Sequence, residues 1–157
     1  SGGLQLLIEN PEQRQHLVEN PELIPSAIEE MVRLVSPVRS FSRTATIDTE
    51  LFGKEIKKDQ MVLMLYPSAN RDKNVYESAE EFHADRNPTH LGFGVGNHFC
   101  MGANLARMEM RVTFEEILKR IPDMQYSQGG PELLPNALVR TCAHLHIKFT
   151  PEKKNAA

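Results

Sequence analysis

The sequence predicts an α+β fold that is mainly helical and carries small antiparallel β-sheets. Apolar residues recur at helical spacing in residues 1–35 and again in residues 103–121. Between these two regions, residues 41–66 change to the short runs that are typical of strands. The chain has 157 residues, 40% of them hydrophobic and 25% charged, which is enough to bury one core.

The helices are predicted from their starting residues and their apolar faces. Residues 4–8 are expected to end a buried helix, and Asn10-Pro11 is expected to cap and start the next one. The same chemistry recurs at Asn20-Pro21, and residues 26–35 form an amphipathic run. A long helix is predicted over residues 103–120. Its expected core stripe is Ala106, Met110, Phe114, Ile117 and Ile121.

Strand-like runs occupy much of the remaining chain. They are residues 41–48, 51–57, 61–66, 138–140 and 143–149. Residues 57–60 are predicted as the turn between the second and third of these runs, and residues 77–90 as a loop. The last residues, 151–157, are expected to form a frayed end.

Charge and cysteine content exclude several functional classes. The net charge of −3 offers no basic field for a nucleic acid. No apolar run approaches the ~20 residues that a membrane-spanning helix needs. Cys100 and Cys142 are too few for a disulfide scaffold, and Ser1-Gly2-Gly3 does not resemble a signal peptide. We therefore expect a cytoplasmic protein.

The glycine-rich stretch 91–102 carries the clearest chemical signal, because it places Cys100 directly before the long predicted helix. Glycine allows the backbone to approach a flat or bulky group closely, and the positive end of a helix dipole favours a thiolate. Three interpretations arise: a buried cysteine in a glycine turn, a dinucleotide-binding loop, and a metal-ligating thiolate. The second is weak because Gly92, Gly94 and Gly96 do not complete G-x-G-x-x-G.

The complete string around the cysteine distinguishes among these interpretations. Phe93-Gly94-x-Gly96-x-His98-x-Cys100-x-Gly102-x-x-Leu105-Ala106-Arg107 resembles the haem-ligand signature of the cytochrome P450 family. Glu30-Met31-Val32-Arg33 resembles the family's E-x-x-R motif, and Ala69-Asn70-Arg71-Asp72 resembles its soluble bacterial members. The resemblance extends over nearly the whole chain and implies the C-terminal part of the cytochrome P450 fold.

The resemblance implies a haem b cofactor (iron protoporphyrin IX) whose iron is ligated by the Cys100 thiolate. Arg43 and His98 are implied to bind the haem propionates, since cationic donors suit carboxylates. Phe93 is implied to pack beside the sulfur, where it tunes the iron. The complete implied haem-contacting set is Cys100, His98, Arg43, Phe93, Gly94 and Ala106.

Two further groups of residues are carried over from the family. Glu30, Arg33 and Arg86 are implied to form a structural triad, although a Glu–Arg pair three residues apart is usually a solvated surface pair. Four apolar residues are implied to line a substrate pocket, although single apolar residues more often belong to a core. These four are Val38, Phe41, Leu138 and Val139.

The implied activity is that of a monooxygenase, which inserts one oxygen atom from O2 into a small hydrophobic organic substrate. A ferredoxin-type redox partner is implied as the electron donor, with Arg107 and Arg111 as candidate docking charges. Members of the family are much longer, so residues 1–157 are expected to be the C-terminal, haem-ligating portion of a larger domain. Residues 1–10 are expected to end the helix that carries the oxygen-activating acid–alcohol pair. The isolated chain is therefore expected to be inactive.

Two alternatives remain at this point. The first is a non-enzymatic haem-binding module that uses the same loop without oxygen chemistry. The second is a zinc-stabilised structural domain, in which Cys142, His144 and His146 share one strand face and are joined by His98 and Cys100. Zinc sites favour paired ligand spacings, which these residues lack.

Overall fold

The computed structural model describes residues 1–152, and a mainly helical α+β architecture is confirmed over this range. Residues 153–157, which belong to the predicted frayed end, lie outside the described residues. The α-helices are α1 Gly2–Glu9, α2 Pro11–Glu19, α3 Ile24–Val35, α4 Tyr66–Ala69 and α5 Ala103–Arg120. The strands are β1 Ser40–Thr44, β2 Thr49–Leu51, β3 Lys54–Ile56, β4 Met61–Leu65, β5 Gln125–Tyr126, β6 Glu132–Leu134, β7 Thr141–His144 and β8 Ile147–Lys148.

The strands of the described range pair into small antiparallel sheets, each with two members: β1 with β4, β2 with β3, β5 with β8 and β6 with β7. The β1–β4 pair is the most extensive, and its register runs from Ser40 opposite Leu65 to Thr44 opposite Met61. Most strand residues are exposed on at least one face. The sheets therefore lie at the surface, and the helices supply most of the core.

The core lies where α1, α2, α3 and α5 pack together. α1 crosses the other helices so closely that a Cβ on Gly3 would lie 2.5 Å from the Phe114 ring and 2.8 Å from the Met31 sulfur. A larger residue at position 3 would therefore require the Phe114 and Met31 side chains to move. The buried cluster consists of Leu7, Leu17, Ile24, Ala27, Ile28, Met31, Leu34, Phe82, Ala84, Phe114, Leu118 and Met124.

The predicted strand over residues 51–57 is confirmed only at β3, Lys54–Ile56, because residues 52 and 53 form a tight turn between β2 and β3. Phe52 and Gly53 both have positive φ angles, 50° and 76°, as a two-residue hairpin turn with right-handed strand twist requires. The predicted strand 41–48 is shorter and lies at Ser40–Thr44. Residues 138–140 form only a single bridge, between Val139 and Val38. Residues 143–149 divide between β7 and β8, which pair with different strands.

Asn10 and Asn20 occupy the predicted N-cap positions before Pro11 and Pro21, but neither makes a side-chain capping hydrogen bond. The Asn10 side-chain amide donates backwards to the Leu6 carbonyl at 2.9 Å, and that of Asn20 donates to the His16 carbonyl at 3.0 Å. Each of these carbonyls also accepts the backbone N–H of the same asparagine, so the side chain adds a second bond at the end of the preceding helix and leaves the N–H groups at the start of the next unbonded by it. The long helix α5, in contrast, has the predicted bounds.

Candidate functional site

Cys100 lies at the end of the loop 91–102 and directly before α5, and its side chain is exposed. Its backbone N–H donates to the Phe93 carbonyl at 2.8 Å, and its own carbonyl accepts from the Ala103 N–H at 3.2 Å. The first bond closes the loop on itself and the second joins the cysteine to the first turn of the helix. The backbone of Cys100 is thus held on both sides.

Two glycines give this loop its shape. Gly94 has a φ angle of +73°, and a Cβ at this position would lie 3.3 Å from the His98 carbonyl. Gly96 has a φ angle of +67° with open space around it, so its requirement is purely one of backbone conformation. A residue with a side chain would be strained at either position, and both strains would act on the segment that presents the cysteine.

The start of the loop is anchored to the end of α3. The fully buried Asn70 accepts a hydrogen bond from the Leu91 N–H at 2.8 Å and donates to the Ser36 hydroxyl at 2.9 Å. A Cβ on Gly92 would lie 2.5 Å from a methyl group of Val32, so the loop backbone rests directly on α3. Asn70 therefore connects the residue that ends α3 with the residue that begins the loop.

A second connection joins the loop to α3 and α5 through Glu29. Arg107 donates to both carboxylate oxygens of Glu29, at 2.7 and 2.8 Å, and its guanidinium lies 4.6 Å from the centre of the Phe93 ring. The His90 Nε2 lies 3.1 Å from the same carboxylate. Burial raises the pKa of Glu29, but hydrogen bonds from Arg107 and His90 outweigh this effect and lower the pKa from 4.5 to about 2.

The predicted triad residues meet in the interior. Glu30 and Arg33 are both 0% exposed, and Arg33 contacts the two carboxylate oxygens of Glu30 at 2.7 Å each. Arg86 adds a hydrogen bond to Glu30 at 3.0 Å. Arg33 also donates to the carbonyls of Asn70 and Ala79, both at 2.7 Å. The contact of Arg33 with the Asn70 carbonyl links this ion cluster to the residue that anchors the loop.

The two predicted propionate ligands are exposed. Arg43 lies on β1, where its guanidinium donates to the neighbouring Ser42 carbonyl at 2.9 Å, and His98 ends the single helical turn Gly96–His98. Among residues 1–152, no carboxylate lies within 4.0 Å of either side chain. Ala106 is half-buried on the second turn of α5. Arg43 and His98 can therefore bind an external anion without breaking an ion pair.

Three of the four predicted pocket residues lie together. Val38 and Val139 form an antiparallel bridge, and the Arg39 N–H donates to the Leu138 carbonyl at 2.7 Å. Phe41 follows on β1 and packs edge-on against Tyr66, with ring centres 6.1 Å apart. It is 48% exposed, so this part of the surface is apolar and open. A role of these residues in substrate binding stays a prediction.

The zinc alternative lacks the cluster that it requires. Across residues 1–152, no group of three or more His, Cys, Asp and Glu side chains is arranged to hold a metal ion. The Cys142 thiol donates to the His144 carbonyl at 3.3 Å, and β7 ends at His144, so His146 lies beyond the strand. The His144 and His146 rings stack on each other with centres 5.7 Å apart.

The available donors fit a haem better than an all-protein metal site. One exposed thiol at the end of a glycine loop can supply a single axial ligand, which is the only protein ligand that a thiolate-ligated haem iron needs. Arg43 and His98 can supply donors for two carboxylates. A structural zinc site, in contrast, needs four protein ligands. We therefore regard the loop 91–102 as the candidate haem-ligand site.

The sequence did not single out Glu29, His90 or the anchoring contact of Asn70. Glu29 precedes the predicted triad residue Glu30, and its partner Arg107 lies 78 residues further along the chain. His90 stands one residue before the loop and gives only a weak signal.

In the part of the chain that the structure describes, no helix is long and apolar enough to cross a membrane.

Comparison with known proteins places these features in a family context. The family model for Cytochrome P450 matches residues 6–138. The chain is 39% identical to the steroid C26-monooxygenase of Mycolicibacterium smegmatis over 96% of its own length and 38% of that protein. It is 43% identical to cytochrome P450-terp of Pseudomonas sp over 96% of its own length and 35% of that protein.

The fold shows the same relationship. The crystal structure of CYP109E1 from Bacillus megaterium in complex with testosterone superposes with a TM-score of 0.91 and 35% identity. The match covers 95% of this chain and 42% of that one. The chain thus spans less than half the length of each of these relatives.

Proposed function

This chain belongs to the cytochrome P450 family, and on that premise we propose that it is the C-terminal, haem-ligating part of a monooxygenase. The reaction is the insertion of one oxygen atom from O2 into a small hydrophobic organic substrate. The observation that carries the proposal is the exposed Cys100 thiol at the end of the loop 91–102, with its backbone fixed by the Phe93 carbonyl.

When bound, haem supplies an iron centre for oxygen activation, and thiolate ligation favours cleavage of the O–O bond. The proposed role of this chain is to supply the axial ligand of the iron and to bind the propionates of the haem. Cys100 presents its sulfur from a loop whose shape depends on Gly94 and Gly96. Arg43 and His98 bind the propionates through charge-assisted hydrogen bonds. Arg107 covers the Phe93 ring, which fixes this ring beside the loop.

A hydrophobic substrate is supported by the exposed Phe41 and by Val38, Leu138 and Val139, which lie together. One relative is named as a steroid C26-monooxygenase, and one solved structure contains testosterone. We extend to this chain only the broader class, a small hydrophobic organic molecule. The proposed setting is the cytoplasm, where a ferredoxin-type partner supplies electrons. Arg111 is the better candidate for docking, because its side chain is 61% exposed and its pair with Glu115 lies at the surface, whereas Arg107 is held by the half-buried Glu29.

The proposal assigns activity to the whole protein. The chain spans 38% and 35% of the two curated relatives, so the remaining walls of a substrate pocket belong to sequence outside it. We therefore expect the chain alone to bind haem without hydroxylating a substrate. Hydroxylation by the isolated chain with a redox partner would contradict this expectation.

The two cysteines provide a direct test of the ligand. The chain and its variants Cys100→Ala and Cys142→Ala are loaded with haem, reduced and saturated with carbon monoxide. We expect the original chain and Cys142→Ala to show the strongly red-shifted Soret band of thiolate-ligated haem. Cys100→Ala should lose this band, because the axial sulfur is absent. A red-shifted band that survives in Cys100→Ala, or its absence from the original chain, would overturn the assignment.

A further inference from the structure

α3 presents two consecutive carboxylates that have different partners. Glu30 faces the interior and binds Arg33 and Arg86. Glu29 faces the loop and α5, where it binds His90 and Arg107. The second group is partly shielded from water, since the Glu29 side chain is 18% exposed and that of His90 is 3% exposed. It is thus a separate ion cluster, and neither the haem ligation nor the predicted triad accounts for it.

The hydrogen-bond partners of His90 define its protonation pattern. The Gly92 N–H donates to His90 Nδ1 at 3.0 Å, so Nδ1 must be the unprotonated nitrogen. The ring proton then lies on Nε2, from which it is donated to Glu29 at 3.1 Å. His90 therefore transmits the position of the Glu29 carboxylate to the backbone at the start of the loop.

Arg107 transmits the same position to the end of the loop. Its guanidinium binds Glu29 through two hydrogen bonds, and its central carbon lies over the Phe93 ring, 4.6 Å from the ring centre. The Phe93 carbonyl in turn accepts the Cys100 N–H. Arg107 also stands on α5, about two turns after the cysteine. A single carboxylate is thus connected to the segment on each side of the sulfur.

We propose that Glu29 is a positioning residue for the Cys100 ligand, acting through His90 and Arg107. It aligns the start of the loop with α5 and so fixes the direction in which the sulfur is presented. The proposal rests on the proposed function for the identity of the ligated group. The geometry of the loop itself is independent of it, which allows the two ideas to be tested separately.

The first test needs no haem. Amide hydrogen exchange is measured on the chain, on Glu29→Gln and on the matched control Glu115→Gln, which removes the carboxylate of the exposed Arg111–Glu115 pair on α5. Glu29→Gln should speed exchange at the Gly92 and Cys100 amides by about tenfold, because charged hydrogen bonds are lost. Amides within α3 and α5 should exchange as before, and Glu115→Gln should resemble the original chain.

The second test uses the haem-loaded chain in its reduced, carbon monoxide-bound state. Glu29→Gln should convert a larger share of the thiolate-type Soret band to the thiol type at equal haem content. Glu115→Gln should leave the ratio of the two bands unchanged. A residue that merely supports the fold would alter haem content without altering this ratio, so the ratio reports positioning.

The outcomes separate the two proposals. If the original chain lacks a thiolate-type band, the proposed function fails, and the exchange rates alone decide the role of Glu29. If the original chain shows the band and Glu29→Gln matches it in both measurements, the positioning role is overturned. Arg107→Lys serves as a second variant should Glu29→Gln not fold. It keeps the charge but removes the fork and the stacking surface, and it should give the same two changes.

Discussion

Two regions meet at α3 and differ in their exposure to water. The Arg33 cluster is formed by Glu30 and Arg33 of α3 together with Asn70 and Arg86. It lies in the interior, and three of its four members are fully buried. The loop 91–102 lies at the surface, and its cysteine is exposed. The Arg33 cluster holds its neighbours through hydrogen bonds, while the loop presents the Cys100 sulfur at the surface. The comparison teaches that the exposed loop is held by hydrogen bonds from buried residues outside it, chiefly through Asn70.

The buried region is stable only because its polar atoms are paired. Among the residues that the structure describes, no buried side-chain nitrogen or oxygen lacks a hydrogen-bond partner. A buried ion without its partner is far more costly than an exposed one, since burial removes its hydration. Substitutions in the two regions should therefore differ in their effect on the free energy of unfolding, and the following predictions measure that difference.

Glu30→Gln should have the largest effect. It leaves the Arg33 guanidinium buried without a counter-ion, and the free energy of unfolding should fall by about 3–5 kcal/mol. Urea unfolding followed by circular dichroism measures this change. The matched control is Glu115→Gln in the exposed pair with Arg111, for which we expect a loss below about 0.5 kcal/mol. A loss for Glu30→Gln as small as that of the control would refute the contrast between the regions.

Asn70→Ala should have an intermediate effect. It leaves the Leu91 N–H without its acceptor and removes the donor to the Ser36 hydroxyl, which still donates to the Arg33 carbonyl, at a cost of about 1–3 kcal/mol. Asn70→Asp is the companion variant, because it keeps the acceptor for Leu91 and loses the donor to Ser36. Because Asn70 is fully buried, the new carboxylate also loses its hydration, and equilibrium unfolding should place the stability of Asn70→Asp no higher than that of Asn70→Ala. An Asn70→Ala chain as stable as the original would show that the loop does not depend on this anchor.

Glu29 should have the smallest effect, visible as a dependence on pH. Its pKa is lowered from 4.5 to about 2 in the fold, so its contribution is fully present above pH 4.5 and is lost as the pH falls towards 2. The stability difference between the original chain and Glu29→Gln should reach about 1 kcal/mol near neutral pH, allowing for solvent screening. Urea unfolding between pH 2 and 7 measures it. A difference that does not vary across this range would contradict the ion cluster.

The sequence predicted the helices better than the strands, for physical reasons. α5 has the expected bounds because its apolar spacing is regular and Pro122 follows its end. The hairpin between β2 and β3 was missed because its turn, Phe52-Gly53, places a bulky aromatic residue at a positive φ angle. Turn rules favour Asn-Gly or Asp-Gly at such positions. The sequence therefore resembled one continuous strand.

The candidate site was predicted unevenly for a similar reason. Cys100 and the Glu30–Arg33 pair were expected because their motifs resemble those of the family, and each motif lies within a short stretch of the chain. The contacts of Glu29 with His90 and Arg107 join residues 61 and 78 positions apart. No periodicity connects such distant positions, so only the packed fold brings them together.

The shared position of the two carboxylates on α3 has a consequence for changes in chain length. Adding or deleting one residue in a helix turns everything beyond it by about 100°. Such a change between Glu30 and Arg33 would separate the Arg33 guanidinium from the Glu30 carboxylate. A change before Glu29 would turn both carboxylates away from their partners. The tip of the β2–β3 hairpin behaves oppositely, because Phe52 is 96% exposed and no atom lies within 4 Å of a Cβ placed on Gly53. Natural length variation and engineered insertions should therefore be tolerated at this tip and excluded from α3.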